Sequence, residues 1–319
     1  MSNLAHWLIR FNSLFDRAMF FLVPSAIYIG YLFWPYLEQG RIWVYFMFAY
    51  MTFVGALNCS RQQFKALLKA PGLFIAALAL VHLFIPLLAF ICGSFFFPDD
   101  PLTVAGMIIA STLPVAITAA IWTYISGGNN LFVLALVVID TLLSPIILPI
   151  TTYTVFGTFG ILPLDRLIQD MLLMVVVPSV LGVLLHPYRT WSPQGPTQAT
   201  LNIFTKLFLL LVVAINVAIL HEFFVMTWAE IGKLLTALAV LVILAYLSGY
   251  LLGKMVGKSF GDVIALTYTG GMRNIALGVV LSVGYFDPAV SIPIVFLSLI
   301  QQPIATIAHS IIQKIKKSN

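Results

Sequence analysis

The stretch ALTYTGGMRNIALG, residues 265–278, puts the adjacent glycines Gly270 and Gly271, followed closely by Arg273, in the middle of a long apolar segment. If the segment crosses a bilayer, adjacent glycines weaken its helix, and a central charge costs at least about 2.5–3.5 kcal/mol. Unwound backbone at membrane depth is tolerated only inside protein or beside a cavity. Gly270, Gly271 and Arg273 therefore predict a broken span that lines a site. The alternative is that the glycines only permit close helix packing.

A second interruption lies at the corresponding place in the first half of the chain. Pro114 removes a helix hydrogen bond, and the segment TLP at 112–114 aligns with GGM at 270–272 after a shift of 158 residues, which also relates Pro145 to Pro303. Paired broken spans are typical of inverted-repeat secondary transporters, in which the breaks adjoin the substrate site. The alternative is that Pro114 only kinks one helix.

The composition assigns nearly the whole chain to a membrane. The 319 residues are 61% hydrophobic and 8% charged, whereas soluble domains average about 25% charged residues. A crossing helix needs about 20 apolar residues, and the pattern predicts ten spans. They lie near residues 15–36, 42–58, 72–97, 102–125, 131–157, 166–186, 201–221, 234–253, 263–286 and 290–312.

The distribution of Lys and Arg predicts the orientation, because these residues are enriched in cytoplasmic loops. With the N-terminus inside, twelve of the 16 Lys and Arg residues fall in cytoplasmic segments and three in outer segments. We therefore expect a multi-pass protein of the plasma membrane (the inner membrane of a Gram-negative cell), with both termini cytoplasmic and no nucleic-acid partner. Segment 60–70, where Arg61, Lys65 and Lys69 share a helical face, is predicted to be an interfacial helix on lipid headgroups.

Several polar side chains lie deep in these spans. Arg273 and Asp140 are each about 15 Å from the inner edge, at 1.5 Å per residue, so we expect them to pair. The pair would handle substrate or ions, or alternatively would only hold two helices together. His82 lies at a similar depth and either functions or packs. The other candidate substrate- or ion-binding residues are Asn274, Thr269, Thr141, Thr118 and Gln301.

Enzyme chemistry has no motif in this chain. HExxH, GxSxG, a phosphate loop and paired intramembrane aspartates are all missing from the sequence. We therefore expect a protein that is not an enzyme, with no cofactor and no bound metal.

The stretch from Leu113-Pro114 through Pro145 and the segment TGGMRN at 269–274 resemble the bile acid:sodium symporter family. The resemblance covers about residues 15–312. It implies a panel domain and a core domain, with helices four and nine crossing where they unwind. The expected fold is thus an all-α membrane protein of ten helices, built as two inverted five-helix repeats (1–157 and 158–319) within one integral membrane unit.

The resemblance also locates the family's sodium ligands, from which this chain departs. Thr269 and Arg273 stand where the ninth-span motif usually has glutamate and glutamine. The positions of the other ligands look replaced by Ala119, Ala120, Val133, Val137 and either Val81 or His82. Alanine and valine side chains offer no oxygen to a hard cation. We expect Arg273 to occupy the space of a sodium ion, with Asp140 as its counter-ion.

These features favour a secondary transporter of a small organic anion, bile-acid-like or another carboxylate or sulfonate, that works by alternating access. We expect it not to use the usual sodium sites of the family, and Asp140 is the candidate for proton coupling. The alternative is a membrane sensor or scaffold of the same fold that has lost transport. The expected partners are the substrate and the bilayer, and the oligomeric state stays open.

Overall fold

The computed structural model describes residues 3–58, 71–156, 164–221 and 226–318. The predicted interfacial segment 60–70 lies outside these ranges. Within them every regular element is a helix, and the β-type pairing is an isolated bridge between Val115 and Arg273. The helices are α1 (Asn3–Leu32), α2 (Trp34–Leu37), α3 (Arg41–Leu57), α4 (Pro71–Ala79), α5 (Ile85–Phe96), α6 (Pro101–Thr112), α7 (Ile117–Ile125), α8 (Asn130–Phe156), α9 (Leu164–Met171), α10 (Val177–Leu185), α11 (Pro196–Ile219), α12 (Trp228–Val256), α13 (Phe260–Gly271), α14 (Ile275–Tyr285) and α15 (Pro288–Ser318).

Seven helical segments of the described chain are long and apolar enough to cross a membrane, or eight if the bent pair Leu4–Asp16 and Phe21–Leu32 is one span. The predicted fourth and ninth spans are outside this count because each is divided into two short helices. They are α6 with α7, and α13 with α14. The chain is therefore an all-helical multi-pass membrane protein, while the ten-helix inverted repeat stays a prediction.

Two π-helical turns, Leu80–Phe84 and Leu172–Val176, interrupt long spans. Each is followed within two residues by a proline, Pro86 or Pro178. A proline has no N–H for the carbonyl four residues earlier, so the helix is locally widened. The first of these turns contains His82, and π turns inside α-helices are frequent at functional sites.

The chain forms two compact units. One combines residues 1–60 with 170–222, and the other combines residues 61–169 with 223–319. Each unit therefore takes segments from both halves of the sequence and does not coincide with either half.

In the unit of residues 61–169 and 223–319, glycines let the broken spans pack closely. The Cβ that alanine would add at Gly253 would lie 2.7 Å from the Cα of Val263, and Gly249 likewise contacts the backbone at Leu266. These two glycines, four residues apart, seat α12 on α13, as small residues do in membrane helix pairs. Gly106 similarly contacts the carbonyl of Val290. Both half-helices that lead into the breaks are thus fixed by a continuous neighbour.

Candidate functional site

The two helix breaks meet and pair through their backbones. The first break runs between Thr112 and Ile117, and the second between Gly271 and Ile275. The N–H of Asn274 donates to the carbonyl of Pro114 at 2.7 Å. The N–H of Ala116 donates to the carbonyl of Met272 at 3.2 Å. Four backbone groups that the breaks release are therefore satisfied by the opposite break, as burial requires.

The guanidinium of Arg273 lies where two helices end. Its Nε donates to the carbonyl of Ser111, in the last turn of α6, at 2.7 Å. Its Nη1 donates to the carbonyls of Thr269, in the last turn of α13, at 2.9 Å and of Met272 at 3.2 Å. The last carbonyls of a helix carry a partial negative charge, so one buried cation compensates two helix C-termini. Its Nη2 is buried without a hydrogen-bond partner.

The amide side chain of Gln301 holds the backbone of Arg273 from α15. The Oε1 atom of Gln301 accepts from the N–H of Arg273 at 2.8 Å, and its Nε2 donates to the carbonyl of the same residue at 3.1 Å. Gln301 is 4% exposed. One side chain thus binds both polar backbone groups of Arg273, whose carbonyl also accepts from the N–H of Ile275 at 2.9 Å.

Asp140 joins the first break to the third predicted span. Its Oδ2 accepts from the backbone N–H of Val115 at 2.6 Å, and its Oδ1 is 2.5 Å from the Nε2 of His82. A carboxylate facing a ring N–H satisfies this contact, and so does a carboxyl facing a bare ring nitrogen. The second ring nitrogen of His82 is buried without a partner. The contact can therefore be made with one proton on either the Nε2 of His82 or the Oδ1 of Asp140.

The predicted direct ion pair between Arg273 and Asp140 is wrong. The described part of the chain has Asp140 within 4.0 Å of His82 and not of Arg273. The reason is that Arg273 turns toward the carbonyls of α6 and α13, while both carboxylate oxygens of Asp140 are taken up by His82 and Val115.

The remaining predicted residues differ in whether their side chains have a hydrogen-bond partner. Asn274 is the N-cap of α14, where its side chain accepts from the N–H of Leu277. The hydroxyls of Thr118 and Thr269 are buried without partners, and the side chain of Thr141 is nearly buried. Thr118 and Thr269 flank the breaks, in α7 and α13, so their free hydroxyls are available to a small ligand or to water.

The two glycines end α13 and the break follows them. Pro114, in contrast, lies inside the unwound segment. An added Cβ at Gly270 would be 2.6 Å from the carbonyl oxygen of Ala245, and Gly271 contacts the ring of Tyr246. Close packing is therefore the reason for glycine at both positions.

Sequence reasoning missed Tyr246 and Ser111. Tyr246 is 5% exposed, its hydroxyl has no partner, and its ring packs edge-on against Tyr268 at 5.9 Å. A tyrosine within an apolar span was a usable signal, because a buried hydroxyl normally needs a partner. Ser111 contributes its carbonyl, and no property of its side chain points to that role.

The positions at which the resemblance puts sodium ligands hold buried aliphatic side chains. Ala119, Ala120 and Val133 are at most 2% exposed and carry no side-chain oxygen. The carbonyls of Ser111 and Thr269 already accept from Arg273. At these positions the side chains therefore offer no oxygen to a cation, and the two carbonyls are engaged by the guanidinium.

A model of the sodium bile acid symporter family matches residues 45–227, which is more than half of the chain. The chain belongs to this family. Its relatives include the protein named "uncharacterized protein YbaS" of Bacillus subtilis (strain 168), which is 32% identical over 286 residues, covering 90% of this chain and 94% of that protein.

Two further relatives of this symporter-family chain carry functional names. The probable sodium/metabolite cotransporter BASS2, chloroplastic, of Oryza sativa subsp. japonica is 26% identical over 74% of this chain and 56% of its own length. The uncharacterized sodium-dependent transporter YocS of Bacillus subtilis (strain 168) is 23% identical over 74% of this chain and 72% of its own. Members of the family are transporters and not enzymes. This confirms the predictions that the protein is a transporter and that it is not an enzyme. This chain handles small substrates within a membrane.

Proposed function

We propose that this protein is a secondary transporter of small organic anions that works by alternating access without a sodium ion at the crossing of its breaks. The observation that supports the proposal is the position of the Arg273 guanidinium, which donates to carbonyls at the C-terminal ends of both α6 and α13. Two converging helix C-termini favour a cation. In this chain the cation is covalently attached, so it cannot be exchanged with solution.

The preference for an anion rests on the opposite helix ends. α7 and α14 begin at Ile117 and Ile275, just beyond the breaks. Helix N-termini favour negative groups, and broken helices of secondary transporters use them to bind substrate carboxylates. The free Nη2 of Arg273 and the free hydroxyl of Thr118 are donors in the same region. A carboxylate or sulfonate matches these donors.

The proposed architecture is ten spans in two inverted repeats, in the plasma membrane, with both termini cytoplasmic. Helices that begin at Pro101, Ile117 and Asn130 have counterparts that begin 158 or 159 residues later. α6 and α13 both have 12 residues. Each compact unit takes segments from both halves, as expected when two repeats contribute equally to a panel and a core. The Lys and Arg distribution supports the orientation.

The proposed coupling is to protons at His82 and Asp140. The carboxyl and the ring nitrogen share one contact, and the other carboxylate oxygen binds the backbone N–H of Val115 in the first break. A change in protonation therefore acts directly on the unwound segment. The names of the sodium-dependent relatives are said of those proteins; for this chain we propose that the Arg273 guanidinium takes the place of the exchangeable cation.

Uptake into proteoliposomes tests the proposal. A thermal-stability screen with small carboxylates and sulfonates first selects a ligand, and its radiolabelled form is then assayed in sodium, potassium and choline at equal ionic strength. We expect saturable uptake that is the same in the three cations and increases with an inward proton gradient. Asp140→Asn should abolish the proton effect. A saturable increase with sodium alone would overturn the sodium-independent mechanism, and binding without uptake would favour the sensor.

A further inference from the structure

A second polar site lies away from the crossing, at the end of α12 and the start of α13. A pocket of about 460 Å³ is lined by three lysines together with Ser259, Phe260, Val263 and two glycines. The lysines are Lys254, Lys258 and Lys316. Within the described chain none of the three has a carboxylate within 4.0 Å. The pocket therefore collects three positive charges, none of which is in an ion pair in the described chain.

The acidic group nearest in sequence is already occupied. The Asp262 carboxylate accepts from the backbone N–H groups of Lys258 and Ser259 and from the side chain of Asn129. It forms a capping box with Ser259 at the start of α13. The helix N-terminus is thus satisfied internally, and the attraction for an anion comes from the lysines.

The surroundings of the pocket favour a lipid over a soluble anion. Leu251, Met255 and Val256, on the same end of α12 as Lys254, are 52%, 81% and 40% exposed. Such large apolar side chains at the end of a membrane helix face acyl chains. Basic pockets between membrane helices on the cytoplasmic side bind anionic headgroups, and this end of α12 is cytoplasmic in the predicted topology.

Lys316 connects the pocket to the first broken span. Its Nζ donates to the carbonyl of Ser126, at the end of α7, at 2.7 Å. The hydroxyl of Ser126 bonds the hydroxyl of Tyr268 on α13 at 2.8 Å and the Nδ1 of His309 on α15 at 2.7 Å. A ligand bound to Lys316 is therefore connected, through the hydrogen bonds of Ser126, to α7, α13 and α15.

We propose that this pocket binds the phosphate of an anionic phospholipid headgroup and that the bound lipid stabilises the ends of α7 and α13. Lys254 and Lys258 provide the attraction, and Lys316 transmits the effect to Ser126. The site is independent of the transport proposal, because none of its residues belongs to the crossing of the breaks.

The test compares thermal unfolding of the full-length protein in zwitterionic detergent with added phosphatidylglycerol, phosphatidylcholine or inorganic phosphate. We expect phosphatidylglycerol alone to raise the unfolding midpoint, by about 5 °C at saturation. The pocket variant Lys254→Gln/Lys258→Gln should lose the shift. The control Lys233→Gln/Lys314→Gln removes the same charge from α12 and α15 outside the pocket and should keep the shift.

A third variant guards against a folding defect. Lys254→Arg/Lys258→Arg retains the charge and should keep the shift, and native mass spectrometry should find phosphatidylglycerol retained on this variant and on wild type but at least tenfold less on the Gln variant. An equal shift in wild type and the Gln variant would overturn the site. A lysine-dependent shift with inorganic phosphate but none with lipid would overturn the lipid assignment and indicate a soluble phosphate ligand.

Discussion

The Nε of Arg273 donates to the carbonyl of Ser111 at 2.7 Å, although the two residues are 162 positions apart in the chain. Through its Nη1 the same side chain reaches the carbonyl of Thr269. A single guanidinium therefore ties together the C-termini of the two half-helices that lead into the breaks. The planar guanidinium carries several donors in fixed directions, which explains why one residue can serve two helix ends.

Replacing Arg273 by Ala should make the thermal stability of the protein depend on sodium. The carbonyls of Ser111 and Thr269 would lose their buried cation, and we expect a loss of about 3 kcal/mol or more in stability. Sodium can approach the vacated oxygens, so it should raise the unfolding midpoint of this variant more than choline does. Wild type and the control Lys314→Ala, at an exposed position, should not distinguish the two cations. A sodium-specific shift in wild type would contradict the assignment.

Replacing Gln301 by Ala should destabilise the protein much more than replacing Gln302 by Ala. Gln301→Ala leaves the N–H of Arg273 buried and unpaired, at about 1–3 kcal/mol. It also removes one of the two hydrogen bonds to the Arg273 carbonyl, which still accepts from the N–H of Ile275. Gln302→Ala removes one hydrogen bond from the indole of Trp122, worth about 1 kcal/mol. Unfolding midpoints should therefore fall much further for Gln301→Ala. Equal losses would mean that the Gln301 amide does not hold the second break.

His82 and Asp140 should be energetically coupled. A double-mutant cycle with His82→Leu and Asp140→Asn is expected to give an interaction energy of about 1–3 kcal/mol, because the two side chains share a buried contact. The control cycle pairs His82→Leu with Thr141→Val, which changes the neighbour of Asp140. The control should be additive within about 0.5 kcal/mol. Additivity in the first cycle would remove the basis for a shared proton.

Gly271→Ala should destabilise the protein because the new methyl group meets the ring of Tyr246. We expect a loss of about 1–3 kcal/mol, partly recovered by adding Tyr246→Leu. The control is Gly232→Ala in α12, where nothing lies within 4 Å of the added Cβ. There alanine should stabilise the helix by up to about 1 kcal/mol. If Gly271→Ala behaves like the control, the close packing at the break is not required.

The topology is testable by cysteine labelling with a membrane-impermeant thiol reagent. Cys59 and Cys92 are first replaced by Ala. A cysteine at Asp99 should then react in intact cells, and a cysteine at Ser318 should react only after permeabilisation. Asp99 is preferred to Asp100 because the Asp100 side chain caps α6 by accepting from the N–H of Thr103. Labelling of Ser318→Cys in intact cells would overturn the orientation.

The sequence by itself determined the class of protein, its family and the approximate positions of the breaks. Apolar runs report membrane burial along the whole chain, because lipid tolerates few charges. Pro114 and Gly270-Gly271 marked the interruptions because proline and glycine act on the backbone locally. The sequence also predicts similar depths for Arg273, Asp140 and His82, since the rise per residue relates position in a helix to height.

Only the tertiary structure decided which of these residues touch. Height along a helix says nothing about rotation around it or about which helix is adjacent, so the expected pair of Arg273 and Asp140 gave way to contacts with Ser111 and His82. The π turn that contains His82 changes the angular register of the residues that follow it, and no periodicity rule anticipates that. The Gln301 side chain binds the backbone N–H and carbonyl of Arg273, and backbone groups carry no residue-specific signal in a sequence.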